Sequence, residues 1–222
     1  MTEILEHGPD RLTIPVLTLR GLTVFPQLLL HFDVGRNASI HALEEAMEEN
    51  REIFLVTQRD LTVENPEARD LYAIGTVAEV KQILRLPENS VRVMVAGRSR
   101  GRLLRITSSE PYLTAEVELI PEIPTSKGNS SRTEAAIRQV YNYLERYTEL
   151  SDRVTPEIYL KLLASDDPAY IADYAAQHLP LRFEDKQAVL EELRPARRLD
   201  RLCRILGREV ASLEVESALA AT

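Results

Sequence analysis

The sequence predicts an α+β protein in which a β-rich half is followed by a helical half. The first 120 residues contain about six apolar or alternating runs typical of strands, with one evident helix. Residues 121–131, PEIPTSKGNSS, form a break rich in proline and hydroxyl residues. Beyond it, apolar residues recur every three or four positions, as in amphipathic helices. The predicted organisation is a β domain over residues 1–122, a linker over 123–131, and a helical bundle over 132–222 ending in a long helix.

The clearest local structure is a β-hairpin over residues 74–104. A valine occupies every second position from 91 to 95, the period of a strand with one buried face, and an equally β-rich run precedes it. The intervening Leu86-Pro87-Glu88-Asn89-Ser90 suits a turn. We therefore expect Leu86 and Pro87 near the tip of the hairpin.

The remaining β-rich segments favour a small barrel or a strongly bent sheet. Residues 12–34 are predicted to form a strand, a loop around Phe25-Pro26 and a second strand, because proline is poorly tolerated inside a central strand. A short helix over 40–50 and strands over 53–57 and 112–120 follow. Strands that succeed one another without intervening helices favour antiparallel pairing.

In the helical half, Thr155-Pro156 and Asp167-Pro168 each place a capping side chain before a proline suited to the first helical turn. The last helix carries apolar residues at alternating spacings of four and three. These are Leu199, Cys203, Leu206, Val210 and Leu213. This spacing is typical of a coiled-coil seam for assembly, but a bundle helix with a core face produces the same pattern. The pattern has no stop signal, so we expect the helix to continue past Thr222 in a longer protein.

Composition and charge limit the function. The 222 residues are 44% hydrophobic and 28% charged, which is ordinary for a soluble globular protein. Neither a membrane-spanning run nor an export signal is evident, and the single cysteine cannot form an internal disulfide, so we expect a cytoplasmic protein. A net charge of −8 argues against a general nucleic-acid binder.

The sequence predicts no catalytic residue, no metal site and no cofactor in this chain. The four histidines are scattered, and Cys203 has no partner cysteine. Neither a phosphate-binding G-x-x-x-x-G-K-[ST] loop nor a G-x-S-x-G nucleophile motif is present. What remains is a recognition surface.

Two sets of residues are candidates for that surface. The first is apolar and is predicted to lie at loop, hairpin-tip or outward strand positions: Val24, Phe25, Pro26, Leu28, Leu86, Pro87 and Met94. The second consists of hairpin arginines that could hold phosphate or acidic peptide: Arg85, Arg92, Arg98, Arg100 and Arg102. The alternatives are that the apolar residues pack within the protein and that the arginines are solvated strand-face residues.

Taken together, several segments resemble the N-terminal domain of Lon proteases. The match runs through IPVLTLRGLTVFPQLLLHFDVGR (14–36), DLYAIGTVA (70–78) and the LPENSVRVMVAG hairpin, and then through SDDP, IAD, HLPL, DKQ and the arginine-rich last helix. It covers nearly all of residues 13–220. The resemblance implies a six-stranded pseudo-barrel related to RNA-binding PUA domains, followed by a helical bundle.

The resemblance also implies a function. In the family this domain is not the catalyst; it helps to select unfolded or damaged protein substrates and contributes to assembly of a hexamer. It precedes an ATPase module and a Ser-Lys peptidase, so ATP and Mg²⁺ are expected only for the full-length enzyme. The alternative is a stand-alone module of the same fold that binds RNA or another phosphate polymer through the hairpin arginines.

Overall fold

The structure is a computed structural model that describes residues 10–125 and 130–221. The chain divides into two compact units between Pro121 and Glu122. Within these described ranges, the first unit is a β-sheet with one α-helix, and the regular elements of the second unit are all α-helices. The predicted α+β class is therefore confirmed. Residues 1–9 of the predicted β domain and 126–129 of the predicted linker lie outside the described residues.

Residues 10–121 of the β unit form six strands, one α-helix and a short 3₁₀ helix. In chain order they are β1 (Arg11–Leu19), β2 (Leu29–Val34), α1 (Asn37–Glu48), β3 (Glu52–Thr57), the 3₁₀ helix (Ala68–Asp70), β4 (Ile74–Arg85), β5 (Val91–Ser108) and β6 (Thr114–Ile120). The predicted hairpin is the pair β4 and β5, with Leu86 and Pro87 at its tip.

Five of the strands form a closed ring in the order β5, β4, β3, β1 and β6, with β6 pairing back to β5. The long strand β5 pairs with β4 along one edge; along its other edge it pairs first with β2 and then with β6. The strand pairs are antiparallel except β1 with β3, which are parallel because β2 and α1 intervene between them. The predicted six-stranded barrel is confirmed.

Strand β5 extends to Ser108, four residues beyond the predicted end of the hairpin at residue 104. The pairing register shifts between Leu103 and Arg105 and again between Ile106 and Ser108. Such bulges bend a strand without ending it. The bends allow one strand to pair with two partners in succession.

Alternation along the strands places two groups of side chains inside the β unit. One group, including Leu17, Ile53 and Val93, packs around Leu43 of α1. The other lies on the opposite side of the ring and includes Ile14, Phe54, Val77 and Val117. Burial of these side chains provides the main stabilisation of the barrel.

The helical unit contains α2 (Ser130–Leu150), α3 (Pro156–Leu163), α4 (Pro168–His178), α5 (Phe183–Glu191) and α6 (Pro195–Ala220). The two predicted caps are confirmed: the Thr155 hydroxyl accepts from the N–H of Ile158 at 3.4 Å, and the Asp167 carboxylate accepts from the N–H of Ala169 at 3.0 Å. Helix α6 packs against α2, α4 and α5. Among the described residues, no helix is both long and apolar enough to cross a membrane.

Candidate functional site

The segment from Val24 to Leu28 belongs to the core of the β unit. Phe25 is 0% exposed, and Val24, Pro26 and Leu28 are also buried. The N–H of Gln27 donates to the carbonyl of Gly97, and the N–H of Gly97 donates to the carbonyl of Leu28, both at 2.9 Å. The prediction that Val24, Phe25, Pro26 and Leu28 offer an exposed contact surface is therefore wrong, because this loop folds back onto β5.

An exposed apolar strip crosses the outer face of strands β2, β5 and β4. It consists of Leu29, Met94 and Leu84, which are 61%, 38% and 52% exposed. Leu29 lies opposite Ala96 and Leu84 lies opposite Arg92, so each is a diagonal neighbour of Met94 on the adjacent strand. A monomer gains little by exposing three large apolar side chains side by side, so we call this outer-face strip a candidate contact surface.

The strip borders a shallow depression of about 260 Å³ that is lined by His31, Gln82, Leu84, Arg92 and Met94. Both His31 and Gln82 lie directly opposite Met94, one on each neighbouring strand. The sequence analysis identified Met94 but missed Leu29 and Leu84. The register of the hairpin could have revealed Leu84, because it shares the outward face with Met94.

At the hairpin tip, Pro87 is exposed and Leu86 is half-buried. Glu88 and Asn89 have φ angles of 63° and 55°, and the N–H of Leu86 donates to the carbonyl of Ser90 at 2.9 Å. The tip is thus a defined turn that holds Pro87 outward at the end of β4, near Leu84 in sequence. Leu86 and Pro87 stay predicted contacts.

Four of the five hairpin arginines pair with carboxylates of the β unit. Arg85 pairs with Glu44 at 2.7 Å, Arg92 with Asp33 at 2.7 Å, Arg102 with Glu118 at 3.7 Å, and Arg98 with Glu79. Arg100 is only 4% exposed. A phosphate polymer would have to displace these carboxylates, and it could not reach the buried Arg100. The structure therefore favours the alternative that the exposed arginines are solvated residues of the strand face.

Glu79 accepts hydrogen bonds from Arg98 and Lys81, and these bonds hold the pKa of its carboxyl at about 2. Replacing Arg98 by glutamine is expected to raise this pKa toward the ordinary value of 4.5. Because these bonds lower the pKa of Glu79 in the folded state, they stabilise the fold above pH 4.5. This stabilisation is lost as the pH falls toward 2 and Glu79 becomes protonated. An NMR titration of the Glu79 carboxyl would measure the shift. A titration midpoint unchanged in the Arg98→Gln variant would contradict this pairing.

The predicted assembly seam of α6 lies largely inside the helical unit. Leu199 and Leu206 are 0% exposed, and Val210 is 6% exposed. Cys203 is half-buried and donates to the carbonyl of Ala136 at 3.4 Å, and burial followed by the Asp200 charge raises the pKa of its thiol to about 11. The prediction that Leu199, Leu206 and Val210 form an assembly surface is wrong, because the same spacing serves the bundle core. Cys203 and Leu213 are half-buried, and their part in assembly stays a prediction.

Helix α6 also carries a buried arginine that the sequence analysis missed. The side chain of Arg198 is 0% exposed, and its guanidinium pairs with Glu122 at 3.0 Å and with Asp173 at 3.5 Å. It is one of several arginines in the run from 194 to 208, and no sequence signal separates it from its exposed neighbours.

Among residues 10–125 and 130–221, no group of three or more His, Cys, Asp and Glu side chains could hold a metal ion. What the described residues do offer is an apolar strip on a barrel, framed by ion pairs. A small barrel, a helical bundle and an exposed apolar surface of this kind are typical of binding domains of the α+β class.

Solved structures share this fold. The chain matches the N-terminal domain of the Mycobacterium avium complex Lon protease with a TM-score of 0.69, at 19% identity, over 88% of this chain and 98% of that one. It matches a Lon N-terminal domain protein from Xanthomonas campestris with a TM-score of 0.58, at 16% identity, over 86% and 96% of the two chains. At these identities the likeness shows the fold alone.

Sequence comparison gives the family: the model of the ATP-dependent protease La (LON) substrate-binding domain matches residues 13–208, and the chain belongs to that family. It is 42% identical to the Lon protease of Desulforamulus reducens over 92% of this chain, and 36% identical to that of Escherichia coli over 95%. The chain spans about a quarter of the length of these relatives, 25% and 26% respectively.

Proposed function

We propose that this substrate-binding domain recognises unfolded or damaged proteins for an ATP-dependent Lon protease, through the outer-face strip and the hairpin tip. The observation that carries the proposal is the juxtaposition of exposed Leu29, Met94 and Leu84 on one sheet face. Folded proteins bury their large apolar side chains, whereas unfolded ones expose them. A surface of this kind therefore selects by folding state more than by sequence.

The charged residues beside the strip also favour apolar segments. Arg92 and Asp33 pair beside the strip at 2.7 Å, so neither presents an isolated charge to an apolar segment. Met94 contributes a flexible thioether that adapts to different side chains. Three side chains give weak binding at each site, and several copies in a hexamer would add avidity.

In this proposal the full-length enzyme is a cytoplasmic hexamer that uses ATP and Mg²⁺ in modules other than this domain. The sequence of this chain contains no nucleotide-binding loop. The domain then contributes binding and leaves cleavage to the rest of the protein. RNA binding through the hairpin arginines is less favoured, because Arg85, Arg92, Arg98 and Arg102 already have carboxylate partners.

Replacing Leu84 and Met94 together by aspartate is expected to weaken binding of an unfolded model protein about tenfold. Each side chain loses part of the roughly 1.5–3 kcal/mol that full burial of such a residue contributes, and the new charges resist desolvation. NMR titration with the unfolded protein, and with its native form as a negative control, measures the effect.

Leu61→Asp is the matched control, since Leu61 is 45% exposed and lies in the loop after β3, outside the strip. Unfolded protein that binds the double variant as tightly as the wild type would contradict the proposed surface. Equal weakening by Leu61→Asp would show a general effect of added negative charge, which also contradicts it.

A further inference from the structure

The β unit has an opening between β1 and β2, beyond the part of β1 that β6 joins to the closed ring. Strand β1 pairs with β6 only as far as Pro15, and from Val16 to Leu19 it pairs with β3 alone among the described strands. Strand β2 pairs with β5 along one edge, and no other described strand pairs with its second edge. A groove of about 340 Å³ lies between them, lined by residues 17–20 and 32–36, with Leu22 and Ser39. We call this feature the β1/β2 opening.

Two arginines, Arg20 and Arg36, stand in this opening. Both also line an adjoining groove of about 870 Å³, so they lie where the two grooves meet. The Arg36 guanidinium donates to the carbonyl and hydroxyl oxygens of Thr18 at 2.8 and 2.7 Å, and to the carbonyl of Glu64 at 3.3 Å. Arg20 donates to the carbonyl of Val63 at 3.2 Å. The partners of both arginines among the described residues are thus neutral oxygens.

This arrangement differs from that of most other arginines of the unit. Carboxylate partners are found for Arg11, Arg69, Arg85, Arg92, Arg98, Arg102 and Arg105. Burial, and then the neighbouring charge of Arg20, lowers the pKa of Arg36. No described ion pair joins Arg20 or Arg36 to a carboxylate, so the two like charges repel each other, and an anion between them would remove that cost.

Helix α1 adds to the positive potential at the same place. Its N-cap residue is Arg36, no side chain caps its first N–H groups, and its first turn contains no acidic residue. The N-terminus of a twelve-residue helix carries a partial positive charge. The opening therefore combines two guanidinium groups, a helix N-terminus and a strand edge that no described strand pairs with.

We propose that the β1/β2 opening binds an extended peptide segment that carries an acidic side chain. The carboxylate lies between Arg20 and Arg36, and the peptide backbone pairs with the free edge of β2. A small inorganic anion would use the arginines alone, whereas an extended chain uses the strand edge as well, as in recognition by strand addition. The inference rests on the proposed function and deepens it, since it names acidic extended segments as a class of substrate.

Four carboxylates line the two grooves and set the direction of a further effect. Asp33 lines the first groove, but Arg92 holds it at 2.7 Å on the outer face. The adjoining groove is lined by Glu64, Glu67 and Glu110; Glu67 pairs with Arg69 at 3.2 Å, whereas Glu64 and Glu110 take part in none of the ion pairs found among the described residues. Replacing Glu64 by glutamine removes a competing negative charge and is expected to raise the affinity for an acidic peptide about twofold.

The test uses fluorescence anisotropy with a dye-labelled, alternating Glu/Val peptide and its Gln/Val counterpart. The acidic peptide is expected to bind the wild-type protein about tenfold more tightly than the neutral one, and Arg20→Gln to weaken it about fivefold, in the range of the net contribution of one solvent-accessible hydrogen bond. Arg51→Gln is the matched control, because Arg51 is exposed and lies just beyond the other end of α1. It is expected to leave binding unchanged.

A second readout tests the strand pairing directly. Backbone amide shifts in β2 on addition of the acidic peptide support strand addition, whereas inorganic phosphate should move signals only around Arg20 and Arg36. Equal affinity for the two peptides, equal weakening by Arg20→Gln and Arg51→Gln, or unshifted β2 amides would each overturn the proposal.

The assays separate this inference from the proposed function. If Arg20→Gln leaves acidic-peptide binding unchanged while the Leu84→Asp and Met94→Asp pair still weakens binding of unfolded protein, the inference fails and the proposed function stands. The reverse pattern supports the opening as a peptide site and rejects the outer-face strip.

Discussion

Replacing Arg198 by alanine is expected to destabilise the helical unit by about 3–5 kcal/mol, among the largest effects of any single substitution in the chain. The guanidinium of Arg198 donates to the carbonyls of Glu192 and Leu193, at 2.8 and 3.3 Å, as well as pairing with two carboxylates. The side chain of Asp173 is only 8% exposed. Alanine would leave that carboxylate buried without this cation and would open a cavity beside it.

Chemical denaturation of the variant measures the loss, with Arg197→Ala as control. Arg197 precedes Arg198 on the same helix and is exposed, so its replacement should change the free energy of unfolding by no more than about 0.5 kcal/mol. A double variant, Arg198→Met with Asp173→Leu, should lose less than the two single changes combined, because it removes both members of the buried Arg198–Asp173 pair and leaves only the partly exposed Glu122 without this cation. Additive losses in this cycle would mean that the pair does not interact.

The strands and helices could be predicted from the sequence because their signals are local. Alternation along residues 91–95 depends only on the geometry of one strand, and Thr155 and Asp167 cap helices that begin at the next residue. A small barrel could also be predicted, because successive strands without intervening helices favour one. The parallel pairing of β1 with β3 could not, because it depends on where β2 and α1 pass.

The site was harder to predict because apolar residues in a loop are compatible with either burial or exposure. Phe25 was predicted to be exposed, yet it is fully buried, because its loop packs against β5 at Gly97. Gly97 lies 72 positions further along the chain. Likewise, one heptad-like spacing fits both a coiled coil and a bundle core. Only the packing of α6 against α2 and α4, together with the full burial of Leu199 and Leu206, decides between them. Such long-range contacts leave no local pattern.

Most arginine contacts of the β unit could not be predicted from local sequence, but one ion pair follows from the strand register. Arg92 lies directly opposite Asp33, so the ion pair follows once the pairing of β2 with β5 is known. Arg85 reaches Glu44 on α1, which no strand register predicts. Arg20 and Arg36 come to line the same grooves only because the end of β1 and the end of β2 lie close together in the folded unit.

Replacing Gly97 by alanine is expected to destabilise the β unit by about 3 kcal/mol or more. A Cβ atom at this position would overlap the carbonyl oxygen of Phe25 and would lie 3.1 Å from the Cα atom of Pro26. These are backbone atoms, and the loop is tied to Gly97 by two hydrogen bonds of 2.9 Å. Relief of the overlap therefore requires breaking those bonds and lifting Phe25 out of the core.

Gly35→Ala is the matched control, because a Cβ at Gly35 would meet no atom within 4 Å. That change should leave the free energy of unfolding unaltered or raise it slightly, by less than about 1 kcal/mol, since alanine restricts the unfolded chain. Thermal or denaturant unfolding of both variants makes the comparison. A Gly97→Ala protein as stable as the wild type would mean that the Val24 to Leu28 loop is not held against β5. In that case Phe25 would again be available as an exposed contact, and the assignment of the binding surface to Leu29, Met94 and Leu84 would have to be widened to include it.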